Sequence, residues 1–222
     1  MINATKMGAC LTLGLWVSGC VWMQANETGI ESQRQGRDAH VMEGAVEALL
    51  PVGALPNDLL MRQHITVQWA DGAESFDSVL QKQGQTLLVL GLGPMNTVGF
   101  TLTLDEGGIT FDNRSGREMP FQATRILADV QRVFYPWIEN DSRCVACERR
   151  EVRAGLEVRE RIGPRYLEER SFRVVARPDR GEIVVRYEGW TEGSLVPSRA
   201  VLLNGWFGYE LIIETTSVES ID

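Results

Sequence analysis

Cys20 carries the thiol whose sequence surroundings most strongly indicate chemistry. Lys6 gives a short positive start, and residues 7–17 form an apolar run without a charged side chain. An aliphatic residue and two small residues follow as Val17-Ser18-Gly19, directly before the cysteine. The small pair lets the backbone lie extended in a peptidase groove, and the thiol after the cut can take a thioether-linked diacylglycerol. The pattern therefore predicts a lipoprotein signal peptide over residues 1–19 and lipidation of Cys20.

Two other interpretations of this N-terminal segment are a plain secretory signal and a short membrane-spanning helix. A spanning helix needs about 20 apolar residues, and the apolar run is shorter. The small residues followed by a cysteine favour lipidation over plain secretion. Val21 stands where many Gram-negative lipoproteins carry the Asp that signals retention in the inner membrane. We therefore expect the chain at the outer membrane, anchored by its acyl chains and facing the periplasm.

Cys144 and Cys147 form a CxxC pair. A redox pair of this type stands at a helix start after a strand, whereas residues 139–142 before this pair are polar and belong to no βαβ pattern. A zinc site normally needs four ligands, and the two histidines, His40 and His64, are far apart in sequence. An exported chain meets an oxidising compartment, so we predict a local disulfide between the two cysteines and no metal site.

Signatures of enzymes are weak in the rest of the sequence. Gly91-Leu92-Gly93 lacks the third glycine and the following helix of a dinucleotide-binding turn, and Pro94 indicates a bulge or a strand switch. The sequence contains no Gly-x-Ser-x-Gly elbow, and neither histidine stands in a recognisable catalytic context. We therefore predict no catalytic residues, no cofactor and a non-enzymatic function.

The size and charge of the chain further restrict its number of domains and its classes of binding partner. Removal of residues 1–19 from the 222-residue chain leaves 203 residues, a length that suits one domain with a full core. The loss of Lys6 changes the formal net charge from −8 to −9. Nucleic-acid-binding proteins normally carry a basic stripe, so we expect no nucleic-acid partner. The acidity also argues against docking of the whole surface onto anionic lipid headgroups.

The first part of the mature chain predicts a tether and then a helix. Residues 20–36 are mostly polar and have no hydrophobic period, which is typical of a flexible, lipidated tether. Residues 38–50 place apolar side chains three and four positions apart, which predicts a short amphipathic helix that Pro51 ends. We assign residues 37–222 to a single domain.

From His64 onward the hydrophobic period changes to two, which predicts strands. Strands are expected over 64–69, 76–81, 86–92, 98–104 and 109–111, with a turn at 70–73. Residues 124–135 return to helical spacing, with Thr124 as a candidate cap and Pro136 as the end. Residues 140–150 are polar and receive no element, and strands follow over 156–161, 166–175, 182–188, 199–204 and 207–216. This order predicts a mainly-β α+β domain.

Four stretches of the chain resemble a known family. They are Leu50-Pro51 running to Gln63-His64-Ile65-Thr66-Val67-Gln68-Trp69, then Gly91-Leu92-Gly93-Pro94-Met95 running to Phe100-Thr101-Leu102-Thr103-Leu104, then Ile126-Leu127-Ala128-Asp129-Val130-Gln131 before Tyr135-Pro136-Trp137, and finally Leu203-Asn204 followed by Gly208-Tyr209-Glu210-Leu211-Ile212-Ile213. In this order they resemble the uncharacterised outer-membrane lipoproteins of bacterial aryl-polyene biosynthesis clusters. That family is in turn similar to the lipoprotein carriers LolA and LolB.

The resemblance implies an incomplete antiparallel β-barrel of about eleven strands, with helices covering its open mouth and a hydrophobic cavity that receives acyl chains. A sheet that curls without closing must fill its inner apolar face with side chains, a helix or a ligand. The helix over 126–134 would cover that face, and its movement would open the cavity. The candidate lining residues are Trp69, Phe100, Leu102, Phe111, Leu127, Val130, Phe134, Tyr209 and Leu211. The same side chains would otherwise pack on each other as a dry core.

The segment from Arg149 to Arg173 is dense in arginine and glutamate. Cross-strand ion pairs on a solvated face explain this composition best. The alternative is a rim that recognises phosphate or carboxylate headgroups through arginine forks.

Together these patterns predict an outer-membrane lipoprotein that binds a lipid-like ligand, an acylated lipoprotein or an aryl-polyene lipid, and assists its delivery to the outer membrane. Its expected partners are the membrane, through the N-terminal acyl chains, a lipid or lipoprotein ligand, and biosynthetic or transport proteins. One alternative is a structural or assembly lipoprotein that docks a biosynthetic enzyme and has no ligand cavity. A second alternative is a periplasmic thiol enzyme that uses Cys144 and Cys147.

Overall fold

The structure, a computed structural model, describes residues 49–116, 121–139 and 144–221. The predicted signal peptide, Cys20, the predicted tether and nearly all of the predicted helix over 38–50 lie outside the described residues. None of the helices in these ranges is long and apolar enough to cross a membrane.

The described residues form eleven strands in one antiparallel sheet, and most of these strands alternate apolar and polar side chains. In chain order the strands are β1 (Leu59–Trp69), β2 (Gly72–Gln83), β3 (Thr86–Leu92), β4 (Val98–Asp105), β5 (Gly108–Asn113), β6 (Cys147–Arg153), β7 (Leu156–Ile162), β8 (Leu167–Val174), β9 (Ile183–Glu188), β10 (Arg199–Asn204) and β11 (Tyr209–Ser220). The α-helix α1 (Ala123–Phe134) lies between β5 and β6, and short 3-10 turns occupy Val52–Ala54, Pro94–Asn96 and Pro178–Arg180.

The first and the last strand of the chain, β1 and β11, lie side by side in the middle of the sheet. The order across the sheet is β5-β4-β3-β2-β1-β11-β10-β9-β8-β7-β6. The first five strands therefore run outward by successive hairpins to one edge. The chain then passes through α1 to the opposite edge, and six strands return inward until β11 pairs with β1 from Trp69↔Tyr209 to Leu59↔Ser220.

The predicted fold class is confirmed, because the described chain is mainly β, with one open antiparallel sheet and one helix. The sheet remains open, with β5 and β6 as its two edges. One strand, β6, begins within the segment 140–150, for which no element was predicted, and continues to Arg153. The helix begins one residue before Thr124, and no side chain caps it, so the expected Thr124 cap is wrong.

The hydrophobic core lies between α1 and the inner face of the sheet, where alternate residues of the strands are buried. Its fully buried members include Met61, Leu80, Leu102, Leu127, Phe172 and Leu202. Gln131 of α1 fixes the segment before β1, because its side chain accepts a hydrogen bond from Leu50 N at 2.7 Å and donates one to Leu50 O at 2.8 Å. The indole N–H of Trp137 donates to Gln131 O at 2.9 Å, just after Pro136 ends the helix.

Candidate functional site

A cavity of about 530 Å³ lies between α1 and the inner face of strands β1, β2, β3, β4 and β11. Its apolar walls come from alternate residues of these strands and from one side of the helix. They include Ile65, Val67, Phe76, Leu80, Val89, Phe100, Ile126, Val130, Phe134, Leu211 and Ile213. Several lining residues are exposed and mark where the cavity meets solvent, namely Glu74, Pro94, Thr97, Val98, Arg114 and Ser115.

A glycine shapes one part of the cavity wall. Gly91 of β3 stands directly opposite Phe100 of β4, and both residues line the cavity. A Cβ atom at position 91 would lie only 2.0 Å from Cε1 of Phe100. The phenyl ring therefore lies over the glycine, and only a residue without a side chain leaves room for it. The ring also packs against Phe76 and Phe111, with centroid distances of 6.1 and 6.0 Å.

A buried polar cluster closes the helix side of the cavity. Arg132 Nη1 donates to Asp129 Oδ1 at 2.8 Å, and their side chains are 3% and 7% exposed. The hydroxyl of Tyr209 donates to Asp129 Oδ2. Asn204 Nδ2 donates to the same hydroxyl at 2.9 Å. The cluster thus ties α1 to β10 and β11 with its polar atoms paired to one another.

The ionisation of this cluster follows from its burial. Burial raises the pKa of the Asp129 carboxyl group, while the charge of Arg132 and the hydrogen bonds from Tyr209 and Arg132 oppose that rise. Burial and the neighbouring Asp129 also raise the pKa of the Tyr209 hydroxyl, so this group stays protonated and remains a donor. The hydrogen bonds of the cluster anchor the helix to β10 and β11.

The nine predicted lining residues divide into two groups. Five of them line the cavity, and these are Phe100, Val130, Phe134, Tyr209 and Leu211. The other four, Trp69, Leu102, Phe111 and Leu127, are not among the lining residues.

The four residues outside the lining have different surroundings. Leu102 and Leu127 are completely buried members of the hydrophobic core. Phe111 lies on the edge strand β5 and is 36% exposed. The ring of Trp69 packs edge-on against Phe121 at 6.4 Å, at the end of β1.

Other lining residues were not predicted from the sequence. Ile65 and Val67 alternate in step with Trp69 on β1, so the period-two pattern contained the signal for them. Gln63 has the same parity, but a glutamine in an alternating strand is typical of a solvent-exposed face. No sequence pattern therefore singled it out.

Residues outside the cavity have the following arrangement. Cys144 and Cys147 are joined in a disulfide. His64 Nδ1 lies 2.8 Å from Asp77 Oδ1 on an exposed part of the sheet. Within the described ranges, no group of three or more His, Cys, Asp or Glu side chains is arranged to hold a metal ion.

The arginine- and glutamate-rich segment forms ion pairs across β6, β7 and β8. Two of its carboxylates are buried, so the expectation of a wholly solvated face is wrong for them. Glu160 is 2% exposed and accepts hydrogen bonds from Arg149 and, at 2.8 Å, from Arg170.

The other buried carboxylate, Glu157, is also 2% exposed and accepts hydrogen bonds from Arg150, Arg159 and Arg173. Burial acts to raise the pKa of Glu157, but these arginines outweigh it and lower that pKa below its usual value of 4.5.

Comparisons with known proteins give two findings. A family model described as a protein of unknown function (DUF3261) matches residues 60–217. The crystal structure of a LolA superfamily protein from Nitrosomonas europaea is similar with a TM-score of 0.44 and 14% sequence identity, and the match covers 83% of this chain and 93% of that chain. No curated protein matches the sequence.

Proposed function

Because the chain belongs to the DUF3261 family of proteins of unknown function, we propose a function from its cavity. We propose that it binds the acyl chain of a lipid-like ligand between α1 and the sheet, without catalysing a reaction. The observation that carries this proposal is an apolar cavity of about 530 Å³ that opens to solvent. Cavities that bind small molecules have volumes of about 300–1,000 Å³ and mostly apolar walls.

The energetics of such a cavity suit reversible binding. Each buried methylene contributes about 0.8 kcal/mol, so ten of them contribute about 8 kcal/mol, which corresponds to a dissociation constant of about 1 μM. The loss of chain freedom on binding weakens this value. A ligand held at such an affinity can be both taken up and released, as delivery requires.

The biological setting is part of the proposal. Lipidation of Cys20 would anchor the protein to the outer membrane with its cavity on the periplasmic side. The ligand would be an acylated lipoprotein or an aryl-polyene lipid, and the protein would assist its delivery to that membrane. Biosynthetic or transport proteins would supply the ligand.

A second candidate function is a structural or assembly lipoprotein that docks a biosynthetic enzyme. The edge strand β5 favours it, because Ile109 and Phe111 are 39% and 36% exposed there. An edge strand with apolar side chains is a template for pairing with another chain. This function needs no ligand in the cavity.

The test uses the full-length chain with Cys20→Ser, which removes the predicted anchor. Native mass spectrometry of the purified protein is expected to detect a co-purified lipid, and a fluorescent fatty acid is expected to bind. Leu211→Trp should block uptake, because Leu211 lines the cavity. Ile212→Trp is the matched control, since the next residue on β11 points to the opposite face of the sheet.

Failure of the fatty acid to bind, together with the absence of any co-purified lipid, would refute the carrier function. A stable protein partner recovered under those conditions would favour the docking function. Unchanged uptake in Leu211→Trp would show that the fatty acid binds somewhere other than this cavity.

A further inference from the structure

Two polar side chains lie next to each other in the cavity wall. Gln63 of β1 and Ser78 of β2 are directly opposite in the antiparallel pairing, and both line the cavity. They are only 5% and 4% exposed. Ser78 Oγ donates to Gln63 Oε1 at 3.4 Å, and Nε2 of Gln63 has no hydrogen-bond partner among the described residues. The buried amide therefore retains an unused donor at the cavity wall.

This donor stands between apolar rows of the sheet. On one side Ile65 pairs with Phe76, and on the other Met61 pairs with Leu80. On the next strand, β3, the residue paired with Ser78 is Gly91, over which the Phe100 ring lies. A ligand lying across these pairs would contact apolar side chains on both sides of the Gln63 and Ser78 pair.

The strand pairing is irregular at the same place. The register between β1 and β11 shifts between Arg62 and Gln63, so that Arg62 pairs with Ser217 and Gln63 with Thr215. The extra residue, Thr216, donates through its hydroxyl to the carbonyl of Arg62 at 3.0 Å. Bulges of this kind are enriched beside functional sites, where they adjust the direction of a side chain.

Two other polar groups of the cavity wall, the Asp129 carboxylate and the Tyr209 hydroxyl, differ from Gln63 Nε2 because both are hydrogen-bonded within the protein. The Asp129 carboxylate is occupied by Arg132 and Tyr209, and the Tyr209 hydroxyl also accepts from Asn204. A purely hydrocarbon ligand would cover the Gln63 amide without supplying an acceptor. The donor is already buried and unpaired without a ligand, so a ligand that places an acceptor here gains a hydrogen bond and binds better than a hydrocarbon does.

We propose that Gln63 Nε2 donates a hydrogen bond to the carbonyl oxygen of an acyl ester or amide, and that the cavity thereby selects acylated ligands over plain hydrocarbons. The inference rests on the proposed function, because it requires an acyl chain in the cavity. Ser78 orients the amide through its bond to Oε1. The ester of a lipid and the acyl groups of a lipoprotein both supply such a carbonyl oxygen.

The test compares methyl laurate with tetradecane, a hydrocarbon of matching chain length, on the full-length chain with Cys20→Ser. Both compete with diphenylhexatriene, a fluorescent hydrocarbon, for the cavity. Gln63→Met keeps the length of the side chain but removes the donor, and the affinity ratio of ester to hydrocarbon is expected to fall about tenfold. Ile65→Met, on the same face of the same strand, is the matched control and should leave the ratio unchanged.

Three results overturn parts of this scheme separately. An equal change for ester and hydrocarbon in Gln63→Met overturns the role of Gln63 while the lipid-binding function stands. Failure of both ligands to bind the unsubstituted cavity overturns the proposed function and this inference with it. The infrared carbonyl band of bound methyl laurate needs no Gln63 variant, and a band without the shift of a hydrogen-bonded ester overturns the inference by itself.

Discussion

Replacement of Gly91 by alanine tests whether the cavity wall depends on the contact between β3 and Phe100. The new Cβ atom would lie 2.0 Å from Cε1, 2.5 Å from Cδ1 and 2.6 Å from Cζ of Phe100. These separations are far below van der Waals contact, so the ring has to move. The backbone at Gly91 is not in the left-handed region, so alanine introduces no backbone strain.

The direction in which the Phe100 ring moves determines how much Gly91→Ala affects stability and binding. Phe76 and Phe111 pack against Phe100 on the sheet, so the remaining space is the cavity itself. Overpacking costs about 1–3 kcal/mol, and the reduced freedom of the unfolded chain offsets about 0.4–1 kcal/mol of this. We therefore expect Gly91→Ala to lower the free energy of unfolding by about 1–2 kcal/mol. The displaced ring should also weaken fatty-acid binding.

A double-mutant cycle isolates the contact. Urea unfolding would be measured for Gly91→Ala, Phe100→Leu and the double variant. The smaller side chain makes room for the new methyl group, so the alanine should cost about 1 kcal/mol less in the Phe100→Leu background. Gly72→Ala is the control, because its Cβ would lie at an ordinary 3.4 Å from Trp69. Additivity within about 0.5 kcal/mol, or unchanged fatty-acid binding by Gly91→Ala, would refute the reasoning.

Three further predictions concern groups away from Gly91. Asp129→Ala should lower the free energy of unfolding in urea by about 3–5 kcal/mol, because Arg132, 3% exposed, loses its buried counter-ion; a loss below about 1 kcal/mol would contradict this. Arginine hydrogen bonds lower the pKa of Glu157 in the folded state, so its contribution to stability is present above the usual value of 4.5 and is lost as the pH falls below it. Urea midpoints measured from about pH 6 to about pH 3 should therefore fall less steeply for Glu157→Gln, and parallel curves would contradict the assignment. Serine at both Cys144 and Cys147 should leave fatty-acid uptake unchanged, because neither residue lines the cavity, and a loss of uptake would favour a thiol function.

The sequence predicts most elements of the fold because burial on one face leaves a periodic pattern. Strand β1 buries Val67 and partly buries Ile65, and the alternation between them is visible in the sequence. Strand β6 differs, because it is an edge strand whose residues are mostly charged. Its inward side chain Arg149 pairs with the buried Glu160 instead of packing among apolar groups. An ion pair inside the fold therefore erased the hydrophobic alternation by which a strand is recognised.

The cavity is less predictable than the strands around it. Phe100 and Leu102 have the same parity on β4, yet Phe100 lines the cavity and Leu102 is completely buried in the core. An odd or even position along a strand tells which face of the sheet a side chain joins. The position of α1 decides where that face is covered. The position of α1 depends on long-range contacts such as the bond between Tyr209 and Asp129, which no local pattern reveals.

The anchoring of α1 decides how a ligand reaches the cavity. The sequence predicts that movement of this helix would open it, but the carbonyl oxygens at its C-terminal end are bound to the sheet. Arg170 donates to Arg132 O at 2.8 Å, and the hydroxyl of Tyr187 donates to Val133 O at 3.0 Å. Displacing the helix would leave these buried groups unpaired, at about 1–3 kcal/mol each.

An acyl chain that enters beside the exposed lining residue Thr97 needs no such loss, so we infer that access runs there past a stationary helix. Thr97→Trp should therefore slow fatty-acid uptake in stopped-flow fluorescence, while the free energy of unfolding falls by no more than about 1 kcal/mol for the lost bond from Thr97 Oγ1 to Pro94 O. The half-buried Thr103, which lies on β4 and outside the lining, provides the control Thr103→Trp. Unchanged uptake rates in Thr97→Trp would instead favour entry by movement of α1.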